Sequence, residues 1–205
     1  MNHLIFAAGV VGLLLLAATP VSSQAPSRAE IERLTTDLKQ SLQTLEKEIK
    51  GLTEAQWSFK PAANRWSVAD CVEHLALAEA AIQENVQSSL RAELPAGVEV
   101  AALRPKDEVI RRLATDRTSQ KFQAPEVIRP TGKSSQESLE MLRGMRQANL
   151  SAAHSNAAKL HSHVAEHPLL KTLDTYQWLL LAASHMQRHT QQVLEVKADA
   201  KFPRN

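Results

Sequence analysis

Residues 174–197 read DTYQWLLLAASHMQRHTQQVLEVK, and this stretch decides the fold. Asp174 followed by Gln177 has the form of a capping box, which opens a helix by satisfying its first backbone N–H groups. Beyond it, Trp178, Leu181, Val193 and Val196 form the apolar side of that helix. His185 and His189 stand four residues apart, so both imidazoles project from one helix face with Cβ atoms about 5–6 Å apart. Two such rings can reach one metal ion at roughly 2.0–2.1 Å. A solvated or core pair has the same spacing, and the chain contains eight histidines, so the pair needs a third ligand to become a site. It is not the zincin motif, because Met186 stands where that motif has Glu.

The rest of the chain is helical in pattern. Ser27 with Glu30 makes a capping box, and Ile31, Leu34, Leu38, Leu42, Leu45, Ile49 and Leu52 then form one stripe at three- and four-residue steps. Gly51 is the natural stop of this first helix. Thr53 to Asn64 reads as a linker, packed through Trp57, Phe59 and Pro61. Ser67 with Asp70 opens a second helix reaching about Leu94, with Val68, Cys71, Leu75, Ala78, Ile82, Val86 and Leu90 inward. Pro95 to Lys133 is a long connection broken by Pro105, Pro125 and Pro130, with a short helix near Asp107 to Ala114. Ser134 with Glu137 opens a third, more polar helix, with Leu139, Leu142, Met145, Leu160 and Val164 as its apolar side, expected to run to about Glu166 and to end at Pro168. No strand alternation competes. The expectation is an all-α, four-helix bundle over residues 27–203.

A third ligand must come from another helix, and one topology brings a candidate to the right level. His74 lies on the apolar side of helix two, one turn after Cys71; a lone histidine there is ordinarily a satisfied core residue. The long helix two to helix three connection permits an up-down-down-up bundle in which helices two and four run antiparallel. His74 is then about 10 Å from one end of helix two, and His189 and His185 about 12 and 18 Å from the same end of helix four. An up-down-up-down bundle would put His189 about 22 Å away. The metal reading and the up-down-down-up topology therefore support each other.

Two strings carry a resemblance. NRWSVADCVEHLALAE, residues 64–79, is similar to the N-terminal signature of the DinB-like family. Residues 167–203, HPLLKTLDTYQWLLLAASHMQRHTQQVLEVKADAKFP, resemble that family's C-terminal segment, and KDEVIRRLATDRTSQKFQAPEVIRPTGK, residues 106–133, fits its middle. The resemblance covers essentially the whole chain after its first 23 residues. It implies an up-down-down-up bundle with one divalent metal, Zn or Ni, on His74, His185 and His189. It also places Gln192 at a polar position one turn beyond the pair. Family members include bacillithiol- or mycothiol-dependent S-transferases and isomerases.

Other candidates carry less. His163-Val-Ala-Glu-His167 spells the inverzincin pattern but falls at the expected frayed end of helix three. His154 and His161 read as surface positions of that helix. Cys71 is a core thiol or a fourth ligand; Asp70 is a cap or a general base. Trp57, Trp66 and Trp178 are core and linker anchors unless one lines the pocket.

The chain begins differently. Leu4 to Ala18 is almost wholly apolar, about 15 residues, which is short for a bilayer span of roughly 20. Val21-Ser22-Ser23 places small residues where a signal peptidase reads, so residues 1–23 are expected to be a signal peptide, cleaved before Gln24; an uncleaved anchor or a mis-called start are the alternatives. The expected location is the periplasm or outside the cell, with no stable membrane span after cleavage. No Cys follows the apolar run, which excludes a lipoprotein anchor. Net charge is only +2 with no basic run, so a nucleic-acid surface is not expected. The partner expected is a small-molecule substrate, and a homodimer is left open. Since the small thiols are mainly cytosolic, export favours a metal-dependent hydrolase over a thiol-transferase. The alternative is a non-catalytic metal- or ligand-binding bundle of the cell envelope. Catalytic residues beyond the triad stay unassigned.

Overall fold

The structure, a computed structural model, describes residues 25–118 and 123–204. The apolar stretch Leu4–Ala18 and the cleavage position before Gln24 lie outside the described residues. Four long helices form the frame: α1 (Arg28–Ile49), α3 (Val68–Arg91), α5 (Ser135–Ser155) and α6 (Thr175–Lys197). Their four expected capping boxes close in both directions. A fifth box, Thr53 with Gln56, starts the short α2 (Glu54–Ser58) inside the linker. Gln56 Nε2 donates to the Pro203 carbonyl at 2.9 Å, and Phe59 meets Phe202 edge-on at 5.6 Å. The linker and the C-terminal tail thus hold each other.

Two halves of the core fix the helix directions. One contains Leu34 and Leu38 of α1, Ile82 and Val86 of α3, Leu150 and Ala153 of α5, and Tyr176 to Ala183 of α6. The other contains Leu45 and Ile49, Val68 to Ala76, Leu142, and Met186 to Val196. Along the chain, α1 and α6 run from the first half to the second, while α3 and α5 run from the second to the first. The bundle is therefore up-down-down-up. The long connection between α3 and α5 carries the 3-10 turn Val100–Leu103, helix α4 (Lys106–Thr115), which lies along α6, and the 3-10 turn Glu126–Ile128. No helix among the described residues is long and apolar enough to cross a membrane.

A buried ion pair ties the four long helices together at mid-height. Arg146 of α5 is wholly buried; it donates to the Leu38 carbonyl and Ser41 Oγ of α1 at 2.7 and 2.8 Å, and to the Ala182 carbonyl of α6 at 3.1 Å. It also pairs with Glu79 of α3, whose other oxygen accepts from Asn149 Nδ2 at 2.7 Å.

The third helix is shorter than its pattern implied. It ends at Ser155, and the chain then forms an antiparallel hairpin of β1 (Val164–His167) and β2 (Lys171–Asp174). Pro168 ends a strand rather than a helix. Leu160 and Val164 are buried as expected, but from a turn and a strand: within the hairpin Val164, Leu173 and Asp174 are buried, while Glu166 and Lys171 are exposed. The three-residue loop returns through Lys171 in the left-handed region, φ 61°. His167 Nδ1 accepts from the backbone N–H groups of Leu169 and Leu170 at 3.1 and 3.0 Å, organising that loop. His161 is corrected from surface to interior: it is buried and its Nδ1 meets Asp174 Oδ2 at 2.9 Å, whereas His154 is exposed as expected.

Candidate metal centre

His74 projects from the second turn of α3, and His185 and His189 from successive turns of α6. Because α3 and α6 are antiparallel, the three rings meet. Their possible ligand atoms all lie within 4.8 Å of one another. His185 Nε2 stands 3.3 Å from His74 Nε2 and 3.1 Å from His189 Nε2. Two nitrogens bound to one ion at roughly 2.0–2.1 Å would be about 2.9 Å apart at a right angle and about 3.4 Å apart at the tetrahedral angle. Both observed separations fall in that interval.

The outer nitrogens are tied down. His74 Nδ1 lies 2.7 Å from the Ile128 carbonyl, and His189 Nδ1 lies 3.0 Å from Gln192 Oε1. Facing acceptors, each Nδ1 carries the proton, and each Nε2 presents a lone pair inward. His185 can direct at most one Nε2–H, so it can donate to only one of its two neighbours. At least one inward lone pair is thus left without a donor at 3.1–3.3 Å, a deficit that a shared cation would fill. The donor set and its geometry fit a divalent ion.

Burial keeps the rings neutral. It pushes His185 down to about 3, with nearby His74 and Arg188 adding to the effect. Burial, then His185 and His74, hold His189 well below the usual imidazole range. His74 is lowered by burial against its hydrogen bond to Ile128. Neutral imidazole is the form that ligates. His185 alone is partly exposed, so the centre opens on its side.

Trp66, one residue before the α3 cap, packs over two of the rings, 4.8 Å from His74 and stacked at 5.9 Å on His189. It lines the centre, while Trp57 and Trp178 pack in the core as anchors. Arg117, beyond the end of α4, donates to both oxygens of Glu195 at 2.8 and 3.0 Å, and to Gln192 Oε1 at 3.4 Å. It thereby braces the acceptor of His189.

The remaining candidates stand apart from the cluster. Cys71 is wholly buried among Leu45, Val68 and Leu75, its thiol pushed up to about 12 by burial. Asp70 Oδ2 accepts from Ser67 N at 2.8 Å and pairs with Lys60 at 2.7 Å. Burial opposes its ionisation, but Lys60 and Ser67 outweigh it and the carboxyl sits below its usual range. His163 and His167 bracket strand β1, where four residues span about 13 Å, so they cannot share an ion. Sequence reasoning missed Glu73, the Ile128 carbonyl and Arg117: no spacing rule connects a loop to a helix 54 to 78 residues away.

The sequence pattern of the DinB superfamily matches residues 37–193. The chain belongs to the DinB superfamily. The uncharacterized protein YuaE of Bacillus subtilis (strain 168) is 24% identical over 155 residues, covering 73% of this chain and 88% of that protein. Among solved structures, YfiT from Bacillus subtilis matches with a TM-score of 0.57 and 16% identity, over 87% of this chain and 92% of that one. It is described as "a probable metal-dependent hydrolase with an unusual four-helix bundle topology". At that identity the likeness speaks for the fold, and the fold agrees with the helix directions above.

Proposed function

We propose that this DinB-superfamily chain is an exported protein that holds one divalent metal ion, Zn²⁺ or Ni²⁺, on His74, His185 and His189 and uses it as a metal-dependent hydrolase. The observation that carries the reading is the trio of convergent Nε2 atoms, two of them with the opposite nitrogen fixed by an acceptor. An ion on three neutral imidazoles keeps coordination positions open and lowers the pKa of a water or thiol placed there. The chain's own residues orient the ligands through Ile128 and Gln192 and wall one side of the centre with Trp66. The description of YfiT supports hydrolysis, and the apolar run Leu4–Ala18 supports export. Hydrolysis is also the chemistry that export favours over transfer from cytosolic thiols.

A non-catalytic metal- or ligand-binding bundle is the second reading, and one observation favours it. Asp70, Glu73 and Glu195, acids on the two helices that carry the triad, are each occupied by other partners. The test is turnover of ester, amide and thiol-transfer substrates by metal-loaded protein. Hydrolysis abolished by His185→Ala supports the first reading. Stoichiometric metal with no turnover on any of them favours the second. Mass spectrometry of the envelope fraction checks export through a chain beginning near Gln24.

A further inference from the structure

The buried carboxylate of Glu73 has no part in the triad, yet it is saturated. Oε1 accepts from the Thr131 N–H at 2.9 Å and the Thr131 hydroxyl at 2.8 Å. Oε2 accepts from the N–H groups of Gly132 at 2.9 Å and Lys133 at 3.1 Å. Four donors fill the roughly four lone-pair positions of a carboxylate. Three consecutive backbone N–H groups can converge on one anion when the chain passes through the left-handed region, which Gly132 does at φ 93°.

This clamp acts on the segment that holds His74. Ile128, whose carbonyl faces His74 Nδ1, lies three residues before Thr131 and is joined to it through Arg129 and Pro130. The segment has little slack. Ile128 N and Arg129 N close a 3-10 turn on Pro125 and Glu126, Arg129 Nε holds the Ala124 carbonyl, and Pro130 has a fixed φ. Ser134 then caps α5. Helix α3 therefore grips one strap twice at adjacent residues, with Glu73 on its backbone N–H groups and His74 on its carbonyl.

We propose that Glu73 is a positioning residue for the histidine centre. By anchoring residues 131–133 it sets the Ile128 carbonyl where it keeps the proton of His74 on Nδ1 and turns Nε2 inward. A carboxamide cannot replace it, because in either orientation its NH₂ group would face at least one backbone N–H donor, that of Thr131 or those of Gly132 and Lys133. Where the proposal concerns metal affinity, it rests on the metal reading above; where it concerns the His74 tautomer, it does not.

The experiment uses the full chain and Glu73→Gln, with Glu84→Gln on the exposed side of α3 as control. Imidazole ¹⁵N–¹H spectra of metal-free protein read the tautomer, and titration with Co²⁺ reads affinity and ligand-field bands. The expected result is a single Nδ1–H tautomer for His74 in the parent and control, and mixed tautomers in Glu73→Gln. Co²⁺ affinity of Glu73→Gln should fall roughly tenfold or more, in line with loss of support behind a ligand, with altered bands. Thr131→Ala, which removes one donor of four, should move the same readouts in the same direction by less, and serves if Glu73→Gln does not fold. Unchanged His74 tautomer in the folded variants overturns the proposal and leaves Glu73 a structural tie alone. If the parent takes up no Co²⁺, the metal reading fails, and the tautomer still decides the role of Glu73.

Discussion

Replacing Arg146 with Met tests the centre of the packing. The guanidinium is wholly buried and ties Leu38, Ser41, Glu79 and Ala182. The carbonyls of Leu38 and Ala182 lie inside helices and keep their own i+4 N–H partners, so the change orphans neither. Ser41 still donates to Leu38. The loss concentrates on Glu79, a buried carboxylate left with Asn149 alone. Removing one partner of a buried pair is destabilising by about 3–5 kcal/mol, a large share of the roughly 5–15 kcal/mol that holds a domain folded. Adding Glu79→Leu removes the uncompensated charge but leaves the Asn149 amide unpartnered, at about 1–3 kcal/mol. Adding Asn149→Leu as well should return stability to within about 1 kcal/mol of the parent, since packed apolar groups replace such networks with little net loss. The assay is urea unfolding followed by far-ultraviolet circular dichroism at pH 7. Loss of under about 1 kcal/mol in the single variant, or a triple variant no more stable than the single, refutes the reasoning.

Cys71→Ala should lower stability by about 1 kcal/mol and leave metal content unchanged, and the native thiol should resist a disulfide reagent until the protein unfolds. Lys171→Gly should raise stability by up to about 1 kcal/mol in the same urea assay, because Lys171 occupies the left-handed region that glycine enters freely. Glu195 is held below the usual carboxylate range, chiefly by the hydrogen bond from Arg117. A group with a lowered folded pKa stabilises above its unfolded value and loses that contribution as pH falls through the folded one. Glu195→Gln should therefore be less stable than the parent at pH 7, by under about 1 kcal/mol for a side chain this exposed; in urea titrations the gap should close in acid.

Much of the frame was legible because its signals are local. Each long helix begins with a capping box that the sequence spells in four residues, and all four boxes form. The i, i+4 pair and the depth of His74 followed from helix geometry, once the long connection allowed α3 and α6 to run antiparallel. The hairpin was not legible. Its strands have four residues each, too short for alternation to stand out beside a helix pattern ending in Leu160 and Val164. His161 looked like a surface residue for the same reason, since its burial depends on the hairpin that brings Asp174 beside it. The supports of the centre, Glu73 on residues 131–133 and Arg117 on Gln192 and Glu195, join segments distant in sequence. Only packing reveals them.

The central claim is that three histidines form one metal centre. Metal analysis by plasma mass spectrometry, on protein reconstituted with Zn²⁺ or Ni²⁺ and on His74→Ala, His185→Ala and His189→Ala, tests it most directly. A site made jointly by three ligands predicts one ion per parent chain, lost from each single variant, with little further loss when a second histidine is removed; His163→Ala and His167→Ala should match the parent. A metal bound only to the folded chain also stabilises it, so each loss should remove most of the metal-dependent rise in Tm. Full metal content in His74→Ala, or its loss in His163→Ala, would contradict the account.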